Sequence, residues 1–222
     1  MDQNVILVET VPLEFDLESL GCRLRIRPGQ TKFMDRLSRL AEEAARVARP
    51  KAVARLCGLT ILDEENVQVG EVTFSSPLLR QKMDGLGRAF PYLASEGTEL
   101  ADWSLSLSSS LEQVFASALR EVAVQQAENL LERTLLERYG IAQVSAMNPG
   151  SLKVWSLEEQ VPLFELLAPL PEKLGVTLLP SLMMRPEYSV SGVFFQTDSK
   201  FYNCQLCPKK ECPNRRTPSL VT

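Results

Sequence analysis

Residues Ser110–Arg138, SLEQVFASALREVAVQQAENLLERTLLER, decide the architecture of this chain. Leu111, Phe115, Ala118, Val122, Gln125 and Asn129 recur in steps of three and four. Leu119, Ala123, Ala127, Leu130 and Leu131 widen the same apolar stripe, which is the spacing of a single long amphipathic helix. Ser110 offers an N-cap and Gly140 a left-handed stop. At 1.5 Å per residue such a helix runs about 40 Å, most of the width of a domain of this size. The remaining elements must be arranged around it.

On its N-terminal side, Asn4–Val8 reads as a short strand. Thr31–Ala48 places Phe33, Leu37, Leu40, Ala44 and Val47 on one helical face, and Arg49-Pro50 ends it. Leu59–Leu62 and the alternating Val67, Val69 and Glu71 flank the turn Asp63–Asn66, the pattern of a hairpin. Phe74–Gly87 is weakly patterned, with a short helix near Leu78 and a break at Gly85 and Gly87; Tyr92–Ala94 is a short strand. Beyond the long helix, Ser156-Leu-Glu-Glu159 has the form of a capping box, which would turn Leu157, Val161, Phe164 and Leu167 inward. Pro162 requires that this helix bend or start later, and Pro169 and Pro171 close it. Val176–Leu179 and Val190–Phe195 read as strands, with Ser189 and Ser191 on one side of the second. Helices and strands are partly segregated, so the expected class is α+β: an antiparallel or mixed twisted sheet with long helices. The expected organisation is a globular domain over residues 1–200 and a cysteine-rich tail over 201–222.

The composition narrows the function. Of 222 residues, 45% are hydrophobic and 23% charged, enough for a real core without staples. A net charge of −4 argues against nucleic acid as a partner. No stretch has the roughly 20 apolar residues of a membrane span, and Met1–Glu9 carries acids where a signal peptide carries bases, so the expected location is the cytoplasm, with no membrane partner. The chain has no histidine, which removes serine–histidine and cysteine–histidine nucleophiles. Five cysteines in a reducing compartment are thiols or metal ligands; Cys22 and Cys57 read as buried small hydrophobes.

The sharpest chemical feature is Cys204-x2-Cys207-x4-Cys212, three thiols within nine residues, two of them followed by proline. Such spacing lets one loop wrap one centre, and soft thiolates favour zinc, copper(I) or an iron–sulfur cluster. Both a four-iron cluster and tetrahedral zinc want a fourth ligand, which must come from Cys22, Cys57, a non-cysteine group or an exchangeable molecule. Lys209, Lys210, Arg215 and Arg216 around the thiols would balance an anionic centre. Redox thiols without metal, or inert thiols on a bare tail, are the competing readings.

Several motifs together resemble the activation (reactivation) domain of vitamin B12-dependent methionine synthase, and most of all its short free-standing relatives with cysteine-rich C-termini. They are Met147-Asn-Pro-Gly-Ser151, Trp155-Ser-Leu-Glu-Glu-Gln160, Leu163-Phe-Glu-Leu-Leu167, Gly175-Val-Thr-Leu178 and Met183-Met-Arg-Pro-Glu-Tyr-Ser-Val-Ser-Gly192, with Ala48-Arg-Pro-Lys-Ala52 matching more loosely. The resemblance implies an accessory protein for reductive reactivation of a corrinoid-dependent methyltransferase. Such a protein docks on a corrinoid that the partner holds and receives electrons from a donor protein. The thiols would then hold a cluster that relays an electron, or a zinc that stabilises a docking module. The resemblance also implies S-adenosylmethionine binding: Glu128 in Gln126-Ala-Glu128 takes the ligand's positive end, and the loop with Asn148 and Gly150 lies against it. Phe201 stands where the family has tyrosine. The arginine the family carries before Pro-Gly has no counterpart in Ser145-Ala146-Met147-Asn148, so a bidentate partner for the ligand carboxylate is missing.

Overall fold

The computed structural model describes residues 3–209 and 217–220. The chain runs β1 (Val5–Val8), α1 (Leu17–Arg23), α2 (Thr31–Val47), β2 (Lys51–Arg55), β3 (Cys57–Ile61), β4 (Asn66–Val69), β5 (Val72–Ser75), α3 (Pro77–Lys82), β6 (Arg88–Ser95), α4 (Thr98–Ser106), α5 (Ser110–Tyr139), β7 (Val144–Met147), α6 (Gln160–Leu167), α7 (Leu170–Lys173), β8 (Thr177–Leu178), β9 (Met184–Arg185) and β10 (Ser189–Gln196). The class is α+β, with every strand pair antiparallel.

An eight-stranded sheet is organised on β6. β2 pairs with its C-terminal half (Lys51↔Ser95 to Ala54↔Tyr92) and β3 with its start (Cys57↔Ala89, Gly58↔Arg88). β10 covers the other edge from Ser189↔Ser95 to Phe194↔Phe90, and β7 lies outside β10. Pro91 falls between the last β2 partner and the first β3 partner, the one place where a central strand tolerates a missing N–H. It also hides the strand from a sequence reading, so a short Tyr92–Ala94 strand becomes eight residues.

The long helix spans Ser110–Tyr139 as its apolar stripe requires. Ser109, not Ser110, occupies the N-cap, without a side-chain bond, and Gly140 ends the helix at φ 60°. Its first half (Phe115, Ala118, Leu119, Ala123) packs with α1, α2 and α4, while its second half (Ala127, Leu131, Leu135) lies on the sheet face made by Ala52, Ala54, Phe90, Tyr92 and Phe194. On the opposite face, α3, α6 and the wholly buried Trp155 cover Val53, Leu93, Val193 and Phe195.

Several local readings change. The Ser156 segment is one 3-10 turn, Leu157–Glu159, and the α-helix starts at Gln160; Ser156 bonds the Glu158 carboxylate and makes no cap. Pro162 therefore lies in the first helical turn, where its missing N–H costs nothing. Leu163, Leu166 and Leu167 face the core, whereas Val161 is exposed. Phe33 also remains partly exposed, and of the two isolated cysteines Cys57 is buried but Cys22 is not.

Candidate functional site

The middle of α5, Glu121 to Glu132, forms one wall of a groove of about 830 Å³, within the range of small-molecule sites. β7, β10 and the segment after Lys200 form the other wall. Glu121, Gln125, Glu128 and Glu132 line the helix side; Ala146, Asn148, Ser151, Val190, Phe194 and Lys200–Cys204 line the far side. An ion pair closes each end: Arg23 with Glu121, and Lys200 with Glu132. Both cations at the groove are thus committed to α5 carboxylates, and three glutamates face two bases.

A continuous hydrogen-bond chain crosses the groove floor. Asn203 Nδ2 donates to Asn148 Oδ1 (3.0 Å). Asn148 Nδ2 donates to the Tyr92 hydroxyl (2.7 Å) and to the Ser191 carbonyl (2.9 Å). Tyr92 in turn donates to Glu128 Oε1 (2.7 Å), and Gln125 Nε2 to Glu128 Oε2 (3.0 Å). Glu128 is therefore a half-buried, oriented carboxylate and not a freely solvated helix residue. The Tyr92 ring stacks on Phe194 at 3.9 Å between centroids. Tyr92 stands directly opposite Gly192, whose absent Cβ would lie 2.4 Å from Met147 O, 2.6 Å from Asn148 Nδ2 and 2.9 Å from Tyr92 Cε1.

Asn148 and Gly150 belong to a turn after β7, closed by Ser151 N–H to Asn148 O. Gly150, at φ 77°, packs beneath Leu157 and does not line the groove; its neighbour Ser151 does. Phe201 is buried, its N–H donates to Ser145 Oγ (2.7 Å), and Lys82 Nζ sits 4.7 Å from its ring centre. The chain then makes a 3-10 turn, Asn203–Gln205, with Cys207 N–H on Cys204 O at 3.4 Å. An i to i+3 turn brings Cα atoms within about 7 Å, so these two thiols share one small loop. Cys204 lines the groove, and Ser219 and Leu220 bond back to Cys207 and Gln205. Cys212 lies outside the described residues, and among those no group of three cysteines or carboxylates has metal-site geometry.

The start of β10 is fixed by a buried ion pair. Arg120 on α5 grips Glu96 with two 2.6 Å bonds; Tyr188 N–H donates to the same carboxylate, and the guanidinium lies 4.4 Å from the Tyr188 ring centre. Burial pushes the Glu96 carboxyl up, against the downward pull of Arg120. Ser189 bonds Ser95, and Ser191 bonds Gln160, so both hydroxyls are satisfied internally.

Glu128, Asn148, Phe201 and Cys204, named from the sequence, meet at this groove. Gly192 is marked in the sequence by the Ser-Val-Ser-Gly192 motif, and the structure shows the close packing that requires it. Tyr92 and the two closing ion pairs carry no such local signal, because they depend on pairings far apart in the chain. No helix among the described residues is long and apolar enough to cross a membrane.

No protein-family model and no curated protein sequence matches the chain. Among solved structures, the crystal structure of the MetH reactivation domain bound to AdoHcy superposes with a TM-score of 0.60 over 89% of this chain and 80% of that one, at 17% identity. The likeness shows that the chain has the fold of that domain.

Proposed function

We propose that the chain serves a corrinoid-dependent methyltransferase of the methionine synthase type as a reactivation partner, and that an S-adenosylmethionine-type ligand sits in the α5–β10 groove. The observation that carries this reading is convergence. Glu128, Asn148 and Phe201–Cys204, from three distant parts of the chain, line one groove on a fold whose solved neighbour carries AdoHcy. The donor set fits such a ligand in part. An aromatic and amide wall suits a nucleoside, and the excess of carboxylates suits its positive end, which Glu128 would hold. The ligand carboxylate would have to share Arg23 or Lys200 with an α5 glutamate, which limits affinity.

In this reading the chain docks over the corrinoid of its partner, and Cys204, Cys207 and Cys212 hold a soft metal or iron–sulfur centre. As an iron–sulfur cluster that centre would relay an electron from a donor protein; as zinc, which has no redox chemistry, it would only stabilise the docking surface. The role of the polypeptide is to orient thiolates beside the groove, with Asn203 tying them to Asn148. The domain organisation in this reading is a globular body over residues 1–200 with the thiol tail appended at 201–222.

Calorimetry with S-adenosylmethionine and S-adenosylhomocysteine tests the groove. Binding weakened by Glu128→Gln is expected, and no affinity for either ligand up to about 1 mM would remove the reading. Metal and sulfide content after oxygen-free purification tests the tail. Iron with sulfide supports the relay; one zinc and no iron makes the tail a docking module. Capture of an oxidised corrinoid protein tests the partner.

A further inference from the structure

We propose that the loop after α1 is a docking strip for a carboxylate-rich protein surface, which rests on the partner-docking role above and names the chemistry of the contact. From Glu18 to Asp35 the chain carries Arg23, Arg25, Arg27 and Lys32 and no acid between them. Leu24 and Ile26 pack into the helical core, so the alternation turns the three arginines outward, and all four cations are exposed. Among the described residues Arg25, Arg27 and Lys32 make no ion pair.

The backbone adds a second observation. α1 ends with Ile26 N–H on Gly21 O (2.9 Å) and Arg25 N–H on Cys22 O (3.0 Å), the paired bonds of a Schellman motif. Arg25 occupies the left-handed position of that motif, φ 57°, where glycine is strongly favoured. A guanidinium is thus held against backbone preference at the centre of an exposed basic strip, the kind of outlier that goes with function. Arg23 belongs to both the strip and the groove wall, so a surface gripped here also covers the groove mouth.

A protein surface fits better than an extended polyanion. The strip is short, the whole chain is at −4, and Glu14, Asp16 and Glu18 precede it, with Glu121 beside it on the groove wall. These acids repel a nucleic acid or an anionic membrane lying across the face, but leave room for a local cluster of carboxylates to form forked bonds with the arginines.

The test is calorimetry of the full chain with poly-L-glutamate at low and physiological salt, beside duplex DNA and phosphatidylserine vesicles. Wild type should bind poly-L-glutamate in a salt-sensitive way, and more tightly than the other two. Arg25→Gln and Arg27→Gln should each weaken it about two- to fivefold. Arg25→Gly should weaken it equally while raising the melting midpoint, which separates lost charge from lost fold. Variants that bind like wild type, or tighter binding of DNA or vesicles, would overturn the strip. Titrating the same samples with S-adenosylhomocysteine reports on the groove separately: groove binding retained alongside weakened poly-L-glutamate binding supports the strip. Groove binding absent while poly-L-glutamate binds as expected overturns the function proposed above and leaves the strip standing.

Discussion

Replacing Gly192 by alanine puts one methyl group into the most crowded point of the groove floor. Its three nearest neighbours would lie at 2.4, 2.6 and 2.9 Å, where ordinary contacts are about 3.5 Å or more. Met147 O is backbone of β7, paired at Val193↔Met147, and Asn148 Nδ2 is held by two hydrogen bonds, so neither yields cheaply. Overpacking of this kind costs about 1–3 kcal/mol. Displacing Asn148 adds about 0.5–1.5 kcal/mol for each bond lost. Alanine recovers about 0.5–1 kcal/mol over glycine in a strand, leaving a net loss of about 1–5 kcal/mol. In a chain of this length that lowers the melting midpoint by about 2–20 °C. Gly58→Ala on β3, with nothing within 4 Å of the added methyl, is the matched control and should melt at or slightly above wild type. The readouts are thermal denaturation and calorimetric titration with S-adenosylhomocysteine. If Gly192→Ala melts with Gly58→Ala and binds like wild type, the close-packing argument is wrong.

Tyr92→Phe leaves Glu128 Oε1 and Asn148 Nδ2 without their shared hydroxyl and should cost about 1–3 kcal/mol in urea denaturation, with a larger proportional loss of ligand affinity. Arg120→Met strands the Glu96 carboxylate in the interior and should cost about 3–5 kcal/mol, whereas replacing both residues by apolar ones should recover most of the loss. Hydrogen bonding from Arg36, then from Arg39, holds the Glu112 carboxyl below its ordinary range. Because the folded value is the lower one, its contribution is present above the unfolded value and is lost as pH falls through the folded one. The melting midpoint should therefore drop on acidification from about pH 5 to about pH 3, and Glu112→Gln should flatten that drop.

What the sequence discloses depends on how each element is built. The α5 helix is legible because thirty residues keep one period, and α2 because its apolar face is unbroken. β2 is not legible because Ala52-Val-Ala54 is too small and too short to look like a strand, and α1 is not because its seven residues give barely two turns. In the groove, Glu128, Asn148 and Phe201 stand out through motif resemblance, since a local pattern carries them. Tyr92 does not, because its importance comes from standing opposite Gly192, a pairing across one hundred positions that no local pattern records. The ion pairs Arg23–Glu121 and Lys200–Glu132 likewise join residues 98 and 68 positions apart.

The position of β10 in the sheet also sets an order of events in folding. β1 to β6 can pair while the rest of the polypeptide is still being made, but the outer edge of β6 stays bare until Ser189–Gln196 arrives, 94 residues after its first partner. Such distant pairings form slowly, and an uncovered apolar strand edge is a template for aggregation in the meantime. A ribosome-bound or truncated chain ending before β10 should therefore associate with itself or with chaperones, and the groove, which needs β10 for one wall, comes into being only at the last step.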